Sequence, residues 1–346
     1  MKELLRKLSG LRGISGYEYR ISDKISELFK PVADEVHTDK LGNVIAVKHS
    51  TKVNAPRLMI EAHMDEIGLM VRDIDENGFI GFVNIGGVDT RILPSCEVII
   101  HAKEDICGVI GAKPPHLQTA GEADDVSKIQ DMAIDTGLSA DKVKSLVSVG
   151  DAITIKGGFC ELLGGRVSGK SLDDRAGVAV LVKLLEKLSD VKLDFDLYAV
   201  SAVCEEVNGS GAATSGYAIN PDMAVAIDVT HGITPDNSKN AFELGSGVAI
   251  AKGPNLHPAL TDRLISTAKN NDIKYNVEVE GGNTGTDAWL LQVAREGIPT
   301  ALLSIPLRYM HTSVETLELS DVEAVCSLLE RFCVELDCDL EGWLCI

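Results

Sequence analysis

The chain has 346 residues, 45% hydrophobic and 25% charged, and its 33 Lys and Arg against 52 Asp and Glu give a net charge of -19. That length supports one large core plus a smaller one, and the composition excludes a disordered, low-complexity or repeat protein. The acidic balance opposes binding to nucleic acid, which needs basic side chains to neutralise phosphates, and favours cationic partners such as peptide amino termini, weakly and subject to salt screening.

Helical periodicity over 2–11 and 18–30 precedes strand-like Val44–Lys48 and Arg57–Glu61, an α/β opening. Charges interrupt the first amphipathic stretch too often for a signal peptide, and no segment approaches eighteen uncharged apolar residues, so a cytoplasmic protein without a membrane span is expected. After His63 the texture changes to short β-rich pieces, Phe79–Asn84, Cys96–His101 and Ala152–Ile155, broken by Gly and Pro, with helical stretches near 126–135 and 140–146. Closely spaced strands with turn signals point to a small barrel or sandwich. From Asp173 onward α/β alternation returns: helix 175–188, strands 195–203, 223–228 and 247–251, helix 258–270, strand 274–279, helix 285–295, strand 298–304 and helix 320–335. The reading is an α/β domain over 1–69 and 162–346, a mixed sheet flanked by helices, interrupted by an inserted β-barrel-like domain over 70–161. The cysteines at 96, 107, 160, 204, 326, 333, 338 and 345 form no C-x-x-C pair and read as buried reduced thiols.

Five short segments carry the chemistry: His63-Met64-Asp65-Glu66, Asp173-Asp174, Glu205-Glu206, Asp228 and His311. Apolar strand-like runs precede several of them, and strand ends of an open α/β sheet are where ligands bind. Two histidines with several carboxylates suit zinc, cobalt or manganese better than calcium, copper or an iron–sulfur cluster. The residues therefore point to a two-metal hydrolase.

Two other enzyme readings need weighing. Residues 164–171, Gly-Gly-Arg-Val-Ser-Gly-Lys-Ser, fit the phosphate-loop pattern of nucleotide binders, but Asp173 and Asp174 would then repel the phosphates and Phe159–Leu163 is a weak version of the required strand. A glycosidase with Glu205 and a second carboxylate as acid and base is opposed by the 4% aromatic content. A non-enzymatic scaffold is the third alternative, since acidic pairs are usually solvated faces. The glycine-rich stretch 281–287 has no phosphate-binding lysine and reads as a loop beside the site. His37, His49, His101 and His116 read as structural or surface residues. His257 is a plausible helix-start residue near the cleft, and His231 is the substitute metal ligand if one assignment fails.

Residues 61–70 (EAHMDEIGLM), 169–177 (GKSLDDRAG), 203–213 (VCEEVNGSGAA), 226–231 (AIDVTH), 284–288 (TGTDA) and 305–315 (IPLRYMHTSVE) resemble, in order and nearly end to end, the glutamyl-aminopeptidase and TET-aminopeptidase family of co-catalytic metallopeptidases. Residues 14–17 and 252–258 look like further landmarks, whereas Val207-Asn208-Gly209-Ser210 departs from the family's commoner Val-Gly-x-x-Gly. The resemblance implies two divalent ions, zinc or cobalt with manganese as alternative: His63 and Asp228 bind one, Glu206 and His311 the other, and Asp173 bridges them. It implies that Asp65 orients His63 and that Glu205 is the general base. It also implies short peptides as substrates, and a homo-oligomer whose inserted β-domain joins dimers that build a dodecamer. Members have been labelled endoglucanases, which keeps that alternative open. Arg308 suits acidic substrate side chains, or else supports the His311 loop.

Overall fold

The computed structural model describes residues 1–117 and 128–336, with Gly342 and Leu344. Cys338, Cys345 and the start of the expected 126–135 helix lie outside the described residues. Among the described residues, eleven strands form a mixed sheet in the order Glu35–Thr38, Val44–Lys48, Asp196–Ala202, Arg57–His63, Met223–His231, Thr300–Arg308, Glu315–Glu318, Arg166–Gly169, Cys160–Glu161; Val248–Lys252 branches from Thr300–Arg308 and carries Tyr275–Val279 at its edge. The four central strands, Asp196–Ala202 through Thr300–Arg308, are parallel and nearly buried throughout. Their predominantly apolar sequences are what a sheet covered on both faces requires. One face packs on the Leu172–Leu188 helix, whose apolar side chains are almost all buried, and on the Leu319–Glu335 helix, while the Lys2–Ser9 helix packs against Leu172–Leu188. A smaller core fills the other face beneath the Ser210–Ile219 and Ala288–Leu291 helices.

Between Arg57–His63 and Cys160–Glu161 the chain leaves this sheet. Six strands, Gly68–Ile74, Ile80–Ile85, Glu97–His101, Asp105–Ile110, Ile134–Asp135 and Ala152–Ile155, close into an antiparallel barrel. Its interior is a separate apolar cluster that includes Leu69, Phe82, Ile100, Ile134 and Ile153. Gly68 marks the departure point, because a Cβ there would stand 2.3 Å from Ile14 Cγ2 and 2.9 Å from the Ile153 carbonyl oxygen.

The fold is thus the mixed α/β sheet with a barrel that the sequence predicts, with local differences. The expected 18–30 helix divides into a 3-10 turn, Glu18–Arg20, and a helix, Ser22–Phe29. Within 128–135 there is no α-helix: a 3-10 turn leads into Ile134–Asp135, and pairing with Ile80 and Val109–Ile110 overrides helical propensity. The 285–295 helix is only Ala288–Leu291. Cys326 and Cys333 are buried as expected, but Cys107 and Cys160 are exposed, on strand positions that face water. No described helix is long and apolar enough to cross a membrane.

Because the barrel has its own core, a cavity there should act locally. Phe82→Ala is expected to destabilise the protein by about 3–5 kcal/mol in urea unfolding while leaving the metal content of the folded protein unchanged. Loss of metal in proportion to loss of stability would contradict independent cores.

Candidate metal centre

The parallel strands deliver the site from their carboxyl ends. His63 ends Arg57–His63 in register with Ala202, and Asp228 lies in Met223–His231 in register with Ser304. Asp173 follows Arg166–Gly169 through Ser171, which has a left-handed backbone, and the Asp173–Asp174 peptide is cis. The strand ahead of Glu205 stops at Ala202, Cys204 turns left-handed at φ 59°, and Glu205 and Glu206 open the short Glu205–Asn208 helix. Both glutamates therefore sit in a first helical turn just past the end of the strand. Gly209 ends that turn at φ 62°, a conformation suited to glycine, and a Cβ would stand 2.4 Å from Leu290 Cδ1. This is how the chain accommodates its departure at 207–210.

His63 Nε2 lies 3.1 Å from Asp173 Oδ1 and 3.9 Å from Glu205 Oε2. His311 Nε2 lies 3.1 Å from Glu206 Oε2 and 3.5 Å from Asp173 Oδ2. One donor atom each from His63, Asp173 and Glu206 falls within a 4.8 Å sphere of mutual distances. Asp228 lines the same cleft, of about 460 Å³, with Glu205, Glu206 and His311. Of the seven predicted residues, five line the cleft; His63 is buried against Asp173 at its edge, and Asp65 stands behind His63 with Oδ1 3.4 Å from Nδ1.

Asp65 does more than face that imidazole. Fully buried, it accepts the Ser15 hydroxyl at 2.6 Å and the backbone N–H groups of Glu205 and Glu206 at 3.1 and 3.2 Å, so it fixes both glutamates' main chain. Glu315, given no role from sequence, is its counterpart: one carboxylate accepts N–H groups from Leu172 (2.7 Å), Asp173 (3.2 Å) and His311 (3.0 Å). His311 itself has φ 61° and donates Nδ1–H to the Gly87 carbonyl at 3.0 Å, which leaves Nε2 for the cleft. Glu66 anchors the floor, 2.6 Å from Lys170 Nζ and 2.5 Å from Ser171 Oγ, while buried Arg175 donates to the Met64 and Leu8 carbonyls. Nothing but position distinguishes these supports in the sequence: Glu66 and Arg175 fall inside recognisable motifs, and Ser15 and Glu315 at their margins.

Lys170 is thereby removed from any phosphate role. Residues 166–169 are a strand, and Lys170 Nζ is buried against Glu66 and the Leu11 carbonyl at 2.8 Å. His231 is exposed at a strand end and lines the cleft, whereas His257 caps the Pro258–Asn270 helix and, like Arg308, is not a cleft-lining residue. His37 and His49 lie on the surface beside Glu35, His116 is exposed, and His101 is tied to Asp105 and Thr154.

The electrostatics are those of a cavity built for cations. Among the described residues, Asp173, Glu205, Glu206 and Asp228 form ion pairs only with His63 and His311, or with none. Burial pushes the Glu205 carboxyl up to about 9 and raises Asp228 and Asp174 well above the carboxylate range, Glu205 adding to the effect at Asp228. Burial likewise raises Glu61, behind the site, to about 8 and lifts Asp287, which Glu61 raises further. Burial alone would depress His311, but its bonds to Asp173 and Glu206 hold it up to about 11. Crowded carboxylates that resist ionising, next to imidazoles that attract protons, fit divalent metals: the donor set is imidazole nitrogen and carboxylate oxygen, without thiolate.

Fold and site together define a metal-dependent hydrolase of the mixed α/β class. Residues 42–328 match the family described as M42 glutamyl aminopeptidase, and the chain belongs to that metallopeptidase family. It is 38% identical to a lysyl aminopeptidase of Pyrococcus furiosus over 96% of this chain and 97% of the relative. It is similar to the solved aminopeptidase APDkam598 of Desulfurococcus kamchatkensis, with TM-score 0.92, 36% identity, and 99% and 97% of the two chains covered. It is also similar to the TET1 peptidase of Pyrococcus horikoshii, which assembles into a tetrahedron or an octahedral shell, with TM-score 0.85, 33% identity, and 97% and 99% covered.

The shifted groups give the metal-free protein a pH dependence of definite sign. Glu61 and Glu205 hold protons in the folded state up to about 8 and 9 that an unfolded chain has already lost, so stability falls as pH rises through that window. His311, raised to about 11, contributes stability present below the ordinary histidine range and lost as pH rises, which acts in the same direction. Scanning calorimetry of chelated protein should show a melting temperature that drops from pH 6 to 9, with a shallower drop when metal is restored. A flat or rising profile for the chelated protein would contradict the assigned shifts.

Proposed function

We propose that the chain removes amino-terminal residues from short peptides, with two divalent ions, zinc or cobalt most favoured and manganese next, held by His63, Asp173, Glu206, Asp228 and His311. The observation that carries this reading is that donor atoms of His63, Asp173 and Glu206 lie within 4.8 Å of one another, with Glu205 3.9 Å from His63 and without a Lys or Arg partner among the described residues. Asp173, which reaches His63 with one oxygen and His311 with the other, suits a bridging position. The ions, when bound, supply Lewis-acid polarisation of the scissile carbonyl and a water of lowered pKa.

The chain's own residues do the rest. Glu205 takes the proton of the attacking water and returns it to the leaving amine, a role open to a carboxylate that no Lys or Arg among the described residues neutralises and that bound divalent ions would keep ionised. Asp65 holds the Glu205 main chain and orients His63, so it positions without reacting. The carboxylate-lined cleft favours the cationic amino end of a peptide over an internal segment. A glycosidase is disfavoured because the described lining of the cleft contains no aromatic side chain, and a phosphate loop because Lys170 is committed to Glu66.

The barrel segment, 70–161, is the surface we assign to self-association, dimers building toward a dodecamer. Phe79, Val109, Leu138 and Val149 on it are apolar and exposed, side chains that self-association would bury.

Two isosteric changes separate chemistry from metal holding. Glu205→Gln should lower kcat by about 10²–10⁴ through loss of the base with metal content near wild type, whereas Glu206→Gln should lose metal as well as activity. Elemental analysis beside a peptide assay decides: the reversed pattern would exchange the two roles, and a fully active Glu205→Gln would end the reaction proposed. Peptide hydrolysis that survived analytically complete metal removal would overturn the metal dependence.

A further inference from the structure

The cleft extends past the proposed metal ligands to a wall formed by the edge strand Tyr275–Val279 and the residue beyond it. Alternation along this strand sends Val277 and Val279 outward, 43% and 81% exposed, and turns Glu278 and Glu280 inward to line the cleft. Glu278 is held in place: its carboxylate accepts the Thr230 hydroxyl, with Ser304 lining the cleft beside it. Thr230 stands two residues past Asp228 on the same face of one strand, about 7 Å along it, and Ser304 is Asp228's partner in register. The Glu278 carboxylate is therefore separated from the proposed metal centre by a distance comparable to an extended lysine side chain.

No cation among the described residues answers these two carboxylates. Among the described residues neither forms an ion pair, and the described cleft lining contains no Lys or Arg. Lys252, next to Val279 in register, gives its ammonium to Asp262 at 2.8 Å. Arg308, the residue that would have suited acidic substrates, does not line the cleft.

We propose that Glu278 and Glu280 form the pocket for the first side chain of the substrate and select peptides that begin with a basic residue, lysine or arginine. The inference rests on the aminopeptidase reading above. Glu278, braced by Thr230, presents a fixed acceptor to an ammonium or guanidinium, and Glu280 adds a second negative charge at the rim. The same charges repel an acidic first residue, so the pocket discriminates by exclusion as well as by attraction.

The test compares Lys-, Arg-, Leu- and Glu-p-nitroanilide as substrates of the metal-loaded enzyme, with calorimetric binding of free lysine and leucine as a readout independent of turnover. Wild type should order kcat/KM as Lys or Arg above Leu above Glu and bind lysine more tightly than leucine. Glu278→Gln and Glu280→Gln should each lower the Lys:Leu ratio of kcat/KM, the former by about 10–100-fold, the range for a charged hydrogen bond. Glu280→Lys, on the half-buried rim where folding is least at risk, should turn preference toward Glu-p-nitroanilide. If wild type cleaves Leu as well as Lys, or if both Gln variants lose all substrates equally, the pocket is overturned while the aminopeptidase reading stands. If no aminoacyl substrate is cleaved by enzyme with confirmed metal, that reading fails instead.

Discussion

The site depends on one constraint, the burial of more carboxylates than the protein's own cations can neutralise. Asp173, Asp174 and Asp228 are each 5% exposed or less, and Glu205 and Glu206 face the same cleft. Like charges crowded away from water raise one another's proton affinity, so in the absence of metal the cluster retains protons and attracts them to His63 and His311. Two divalent ions would replace those protons with fixed charge. On this account metal binding, proton release and stability are a single coupled equilibrium.

Such a cluster functions only if its members cannot relax apart. Asp65 and Glu315 supply the restraint by accepting backbone N–H groups from both sides, the former binding the Glu205–Glu206 turn and the latter joining the Asp173 and His311 segments. Gly87, from the chain between two barrel strands, accepts from His311 Nδ1. A Cβ at Gly87 would stand 2.7 Å from the same nitrogen. The barrel therefore reaches the centre through one carbonyl, although its apolar core is separate, and movement of the barrel would be felt first at His311.

Much of this was legible in the sequence because the chemistry-bearing residues lie on or just after buried parallel strands, whose largely apolar runs announce them. Leu58–Ile60 before His63 and Val225–Ile227 before Asp228 are examples, and Asp173 and His311 were legible through motif resemblance. What was not legible depends on distant partners. The Ile134–Asp135 strand is defined by pairing with Ile80, and the expected helix there had no means of registering that contact. Glu315 looks like any surface glutamate until folding brings Leu172, Asp173 and His311 to it. The side chains of Glu278 and Glu280 acquire meaning only when an edge strand, itself predicted, is seen to form the cleft wall, whereas Arg308, the more conspicuous charge near a motif, lies outside it.

The most direct test of the central claim is crystallographic: diffraction from zinc-loaded protein above and below the zinc absorption edge. The account predicts two anomalous peaks per chain, one beside His63 and Asp228, one beside Glu206 and His311, with Asp173 between them and Glu205 coordinating neither. A single peak, or peaks away from Asp173, would contradict the view that this carboxylate cluster exists to hold two ions.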